Sequence, residues 1–240
     1  MQFSDTSLKL GIVQEVHSIC NSDSTSYPTA DITRRVNAAL DDYIQLVLSM
    51  DKLHEWDDTN IATLPIATFN IVDDQCSYHI NLDGVSNQVL KVHKVFVKDS
   101  SGNFQPLIQK EVKDDEMEEI LKLNADYPTG SPKYYSWFAG ALILTPRPNY
   151  NSTAGGKIVY QRTGSYFVAT DTTKIPGIPY VHHMYLARKA ALPYLIEKQL
   201  PQKNDIQALI TKDEMNIANF YWAKSANAKR NMRANVESTK

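Results

Sequence analysis

His54-Glu55 opens the pattern in which two histidines one helical turn apart hold zinc and the glutamate serves as base, but Asp58 stands where the second histidine is needed. His182-His183 is no better placed, because adjacent helical residues point about 100° apart and do not readily share one ion. A surface or core-edge pair is the simpler reading. Glu55, Asp57 and Asp58 crowd beside Trp56. Paired carboxylates perform acid–base chemistry when burial separates their pKa values. With no partner evident, a solvated turn at a helix end is expected. The run Asp114, Asp115, Glu116, Glu118 and Glu119 has the charge to hold a cation, and equally the composition of a solvated helix face with acids near its N-terminus. Tyr134, Tyr135, Trp137 and Phe138 offer rings for base stacking, yet in a strand such residues divide between core and interface. The glycine pair Gly155-Gly156 lacks the lysine-serine sequence of a phosphate loop, and no serine is framed as Gly-x-Ser-x-Gly. No catalytic residue, metal ligand set or cofactor is therefore expected, and the chain is read as a non-enzyme.

Composition narrows the classes further. The 240 residues are 42% hydrophobic and 22% charged, enough for a real core. A net charge of -2 disfavours a generally basic nucleic-acid binder, although the C-terminus is locally basic. No apolar run reaches the ~18–20 residues that cross a bilayer, and Met1 to Leu10 lacks the order of a secretion signal. Cys20 and Cys76 match no paired-cysteine spacing, which points to a protein folded in a reducing cytoplasm.

The elements that must carry these residues fall into three blocks. Leu8, Ile12, Val16 and Ile19 predict a helix within Thr6 to Cys20. Ile32, Val36, Ala39, Leu40, Tyr43, Val47 and Met50 form one stripe of a helix over Ala30 to Met50, with a charged face left free. From Ile61 the period shortens. Strands are expected over Leu64 to Ile71, Ser77 to Leu82, Lys91 to Lys98, Phe104 to Gln109 and Lys157 to Arg162, with a hairpin from Tyr134 to Leu144. Asp114 to Leu123 reads as a short acidic helix. Helical periodicity returns over Tyr180 to Leu200, where Pro193 predicts a kink or break. Pro201 suits the first turn of a further helix through Ile206, Leu209, Ile210, Ile217, Phe220 and Tyr221. The fold class is α+β: a helical bundle of N- and C-terminal helices (1–60 and 176–223), a central β-rich insertion (61–175) and an extended C-terminal tail (224–240).

Several stretches, taken in order, resemble the head-to-tail adaptor, or connector, proteins of short-tailed phages. They are Tyr27-Pro28-Thr29-Ala30-Asp31-Ile32-Thr33-Arg34-Arg35-Val36-Asn37; Glu55-Trp56-Asp57-Asp58-Thr59-Asn60 running into Leu64-Pro65-Ile66-Ala67-Thr68; Pro132-Lys133-Tyr134-Tyr135 continuing to Leu142-Ile143-Leu144-Thr145-Pro146-Arg147-Pro148; and Tyr160-Gln161-Arg162 through Phe167 to Ile175-Pro176-Gly177-Ile178-Pro179. The resemblance spans Tyr27 to Leu200 and is weak at both ends. It implies a virion protein made in the host cytoplasm, usually twelve copies in a ring beneath the capsid portal. Such a ring extends the DNA channel and offers a platform to a tail or nozzle protein, with no cofactor and no membrane.

Within that expectation Arg34, Arg35, Asp41 and Asp42 are the candidate contacts to neighbouring subunits. Lys224, Lys229, Arg230 and Arg233 are the candidate portal contacts. That last segment is helix-capable but has few large apolar groups, so it orders best against a partner. A solvated tail, or non-specific contact with packaged double-stranded DNA, stands beside portal docking as a reading of the same residues. Other classes remain open: a nucleic-acid-binding module using the aromatic hairpin and basic tail, a tail-tube base protein, and a hydrolase using His54, Asp57 or Asp58.

Overall fold

The computed structural model describes residues 1–50, 58–79, 89–99, 101–110, 128–138 and 141–237; at 50, 89, 90, 138 and 224–237 the backbone alone is described. The chain is α+β and divides into two compact units, Met1–Ala62 with Thr163–Lys240, and Thr63–Arg162. Among the described residues no helix is long and apolar enough to cross a membrane.

In the first unit, α1 (Ile12–Cys20), α2 (Thr29–Met50), α3 (His183–Glu197) and α4 (Lys203–Glu237) share one core. The stripe of α2 is buried as its spacing requires, at Ile32, Val36, Ala39, Leu40, Tyr43 and Val47. Helix α3 is buried more broadly, through Tyr185, Leu186, Ala187, Ala190, Ala191 and Leu195. Its alanines let neighbouring backbones come close. The Tyr27 hydroxyl donates to Ala190 O at 3.1 Å, and Cys20 Sγ lies 3.8 Å from Ala191 O. Burial pushes the Cys20 thiol up to about 12, and both cysteines are free.

The deepest polar contact of this core joins the Tyr43 and Tyr221 hydroxyls at 2.9 Å, between α2 and α4. Removing one hydroxyl takes a buried hydrogen bond from the other. Tyr43→Phe is therefore expected to cost roughly 0.5–1.5 kcal/mol in chemical denaturation. A change under a few tenths would mean that the pair adds nothing to stability.

The second unit is a β-sandwich built from β1 (Ile66–Ile71), β2 (Ser77–His79), β3 (Val89–Lys98), β4 (Phe104–Pro106), β5 (Ile108–Gln109), β6 (Thr129–Gly130), β7 (Tyr134–Phe138), β8 (Ala141–Thr145), β9 (Arg147–Pro148) and β10 (Ser152–Arg162). One sheet has the order β1-β10-β3-β4 and the other β2-β8-β7-β5, while β6 pairs with β9. Ile71, Val95 and Val97 of the first sheet share a core with Tyr78, Tyr135, Leu142 and Leu144 of the second. Buried Leu107 carries the chain from β4 in one sheet to β5 in the other. Gly156 is required opposite Phe69, since a Cβ there would meet the Phe69 ring.

Several boundaries differ from the sequence reading. The first helix starts at Ile12, not Thr6, and Leu8 is 72% exposed. Asp5 explains this: its carboxylate accepts the Ser7 and Leu8 amides in a turn, and Lys9 then takes a left-handed φ of 57°. Helix α3 runs through Pro193 to Glu197. Proline removes one backbone bond, but buried Ala190, Ala191 and Leu195 hold the turns on either side. The helix ends instead at Gln199, left-handed at φ 52°, where Leu200 N donates to Leu195 O.

Residues 163–175, expected within the β-rich block, belong to the helical unit. Phe167 stacks on Phe3 at 4.6 Å, and Phe3 N donates to Lys174 O. The expected tail from 224 continues α4 as helix to Glu237, with side chains outside the described residues. The expected acidic helix 114–123 lies outside them as well.

Candidate functional site

Asp58 is the one member of the carboxylate cluster within the described residues, and it is not solvated. Its residue is 1% exposed. One carboxylate oxygen accepts Ser165 N at 2.6 Å and the other accepts Asn60 N at 2.8 Å. Thr59 N donates to Gly177 O, and Asn60 Nδ2 donates to Ile175 O at 2.8 Å. Gly177 has no side chain because the Asp58 carboxylate fills that space. Residues 58–60, 165 and 175–177 are thus tied together within the helical unit. The short polar turn Asp58-Thr59-Asn60 supplies the acceptor, and the Pro-Gly sequence 176–177 supplies the close approach. Both carboxylate oxygens of Asp58 thus accept backbone amides and hold these segments together. The remainder of the cluster, His54, Glu55 and Asp57, lies outside the described residues.

His182 and His183 are both buried, at the start of α3. His183 Nε2 meets Ile178 O at 3.0 Å, and its Nδ1 meets the Met1 amino group at 2.8 Å. His182 packs among Tyr43, Phe220 and Tyr221. The two rings therefore face different neighbours, as adjacent helical positions require. Burial holds both below the ordinary histidine value. A cleft of about 270 Å³ opens beside His182, lined by Val181, Tyr185, Asp213, Asn216, Ile217 and Phe220. Asp213 is engaged by Arg188 at 2.6 Å. Among the described residues no group of three metal-ligating side chains occurs.

The charged face of α2 is partly covered by its own chain, contrary to the expectation of a free face. Asn37 exchanges two hydrogen bonds with the Phe167 backbone, at 2.9 and 3.0 Å. Asp41 accepts the Tyr166 hydroxyl at 2.6 Å, and Asp42 meets Lys189 at 3.3 Å. Sequence periodicity did not reveal this, because the covering residues, the irregular segment 163–175 and Lys189, lie more than 120 positions away. Arg34 and Arg35 remain exposed; Arg34 pairs with Asp31 at 3.2 Å in water. Both line a cleft of about 140 Å³ with Asp31, Glu197 and Lys198, where neither sign of charge dominates.

No protein-family model matches the chain, and neither does any curated protein.

The remaining candidate residues separate into ties and open surfaces. Arg147 is buried and meets Asp74 at 3.0 Å, while Arg162 is buried and donates to Thr63 O. Both guanidinium groups hold strand ends in the β-rich unit. In the aromatic hairpin Tyr135 enters the core, whereas Tyr134 and Trp137 are exposed. On α4 the last buried side chain described is Tyr221, followed by Trp222 at 69% exposure. Lys224, Lys229, Arg230 and Arg233 lie on the helical backbone beyond it, with side chains outside the described residues.

Proposed function

We propose that the chain is a non-enzymatic subunit of a ring at the head-to-tail junction of a phage particle, bridging the portal and the tail. The observation that carries this reading is the ordered set of connector-like stretches from Tyr27 to Leu200. Their residues tie the fold at separated points: Tyr27 to Ala190, Asn37 to Phe167, and Asp58 to Ser165 beside Gly177. A sequence pattern spent on scaffold contacts rather than on a pocket suits a protein that works through its surfaces.

Helix α4 supports the same reading. At 1.5 Å per residue, its course from Tyr221 to Glu237 spans about 24 Å. Lys224, Lys229, Arg230 and Arg233 on that stretch would meet an acidic groove of the portal. Arg34 and Arg35 are the more exposed neighbouring-subunit contacts on α2, Arg34 pairing, among the described residues, only with Asp31 of its own helix, whereas Asp41 and Asp42 have partners beyond it.

Negative-stain imaging of the purified chain mixed with the portal ring of its phage tests the proposal. A closed ring of copies, about twelve by the family resemblance, is expected on the portal, with much more than ~1,600 Å² buried per subunit. Truncation after Ala223 is expected to abolish capture by the portal while leaving the melting of the helical core unchanged. A chain that stays monomeric at assembly concentrations and leaves the portal bare would refute the reading.

A further inference from the structure

The strand register of the first sheet puts three lysines on one outer face. Directly paired residues share a face. Lys157 lies opposite Phe96, which lies opposite Pro106; Val159 lies opposite Lys94, and Lys98 opposite Phe104. The alternate residues Ile158, Val95 and Val97 are buried on the inner side. Lys157 Nζ sits 4.1 Å, and Lys98 Nζ 5.2 Å, from the centroid of the same Phe104 ring. The ring attracts each cation, but the cations repel one another.

A carboxylate between them would relieve this, and none stands there among the described residues. Lys94, Lys98 and Lys157 form no ion pair among the described residues. The nearest acid in sequence, Asp99, spends its carboxylate on the Ser101 and Asn103 amides and on Gln105. Between the cations the face carries partly exposed Phe96, with exposed Ile66 at its side.

We propose that this face binds the phosphodiester backbone of a nucleic acid. Lys94 and Lys98 stand four residues apart on β3, about 13 Å along a strand. That span is bridged by a repeating anion, not by one small ion. A nucleic-acid strand also brings a flat base beside each phosphate, suited to partly exposed Phe96 and exposed Ile66. The site lies wholly within the β-rich unit.

Fluorescence anisotropy on the full chain tests the site, using an oligothymidylate and a mixed-sequence duplex, each about 20 nucleotides long. Binding of either at low salt is expected. The arm that binds more tightly identifies the source of the phosphates. The triple variant K94Q/K98Q/K157Q is expected to weaken binding at least tenfold. It should lower the slope of log affinity against log salt by about 2 for the single strand and nearly 3 for the duplex.

Lys94→Gln alone, at an exposed side chain, should lower the slope by about 0.7–0.9. The variant K224Q/K229Q/R230Q/R233Q, which neutralises the α4 segment, should leave that lysine-dependent loss intact. The proposal is overturned if the wild-type chain binds neither probe, or if both lysine variants bind like wild type. It is equally overturned if a polyglutamate peptide binds this face and the oligonucleotides do not.

Discussion

Replacing Asp58 with alanine is expected to lower the stability of the helical unit by about 3–5 kcal/mol. The carboxylate accepts two backbone amides, from Ser165 and Asn60, in a site shielded from water. Hydrogen bonds to a charged group contribute about 1.5–3 kcal/mol each, and the stranded amides add a desolvation penalty. At about 2–4 °C per kcal/mol, the melting midpoint should fall by roughly 6–20 °C. Asp58→Asn should lose much of the same energy, since an amide nitrogen turned toward a backbone N–H cannot accept.

Gly177 makes the test specific. Gly177→Ala drives a methyl into the Asp58 carboxylate and should cost about 1–3 kcal/mol by overpacking. In the Asp58→Ala background that clash is gone, so the same glycine change should cost less. The double-mutant cycle should show coupling above about 1 kcal/mol. Additive effects, or an Asp58→Ala variant within 0.5 kcal/mol of wild type, would sink the assignment of Asp58 as a tie between segments.

Acidification is the second large effect expected. His182 and His183 are buried, and burial lowers both below the ordinary value of 6.5. For His182 the neighbouring His183 lowers it further, and Asp213 opposes. For His183 the Ile178 carbonyl opposes burial and the amino-terminal charge adds to it. Around His182 stand Tyr43 on α2 and Phe220, Tyr221 and Asp213 on α4, and around His183 the Met1 amino group and the Tyr180 ring.

The sign follows from proton counting. Above about pH 6.5 both states of the protein hold these rings neutral, and stability is at its full value. As pH falls below 6.5, the unfolded chain takes up protons that the folded chain refuses. Stability then declines until the lower folded values are reached. Each histidine contributes up to about 1.4 kcal/mol per pH unit in that window. Urea unfolding from pH 7.5 to 5 should therefore show a steep loss that His182→Phe and His183→Gln each reduce. A profile unchanged by both substitutions would assign the acid sensitivity elsewhere.

The α2 stripe and the strand–turn alternation were both readable locally. Each depends on residues within one or two turns of one another. Periodicity of 3.6 marks which side of α2 is buried, and periodicity of two marks the strands, whatever the rest of the chain does. Breakers were less faithful. Pro193 does not interrupt α3, because burial on both sides outweighs one lost bond, and Asp5 delays α1 through a side-chain turn that competes with helix.

The α+β class and the helical–β–helical order were therefore determined by the sequence alone, because short-range hydrophobic patterning selects the elements. The tertiary structure decided which polar residues are spent inside the chain. Asp58 became a buried acceptor, Asn37 and Asp41 gained partners from 163–175, and Lys98 and Lys157 converged on Phe104. These pairings join residues from 6 to 130 positions apart, and no local period encodes contacts made only when separate elements pack.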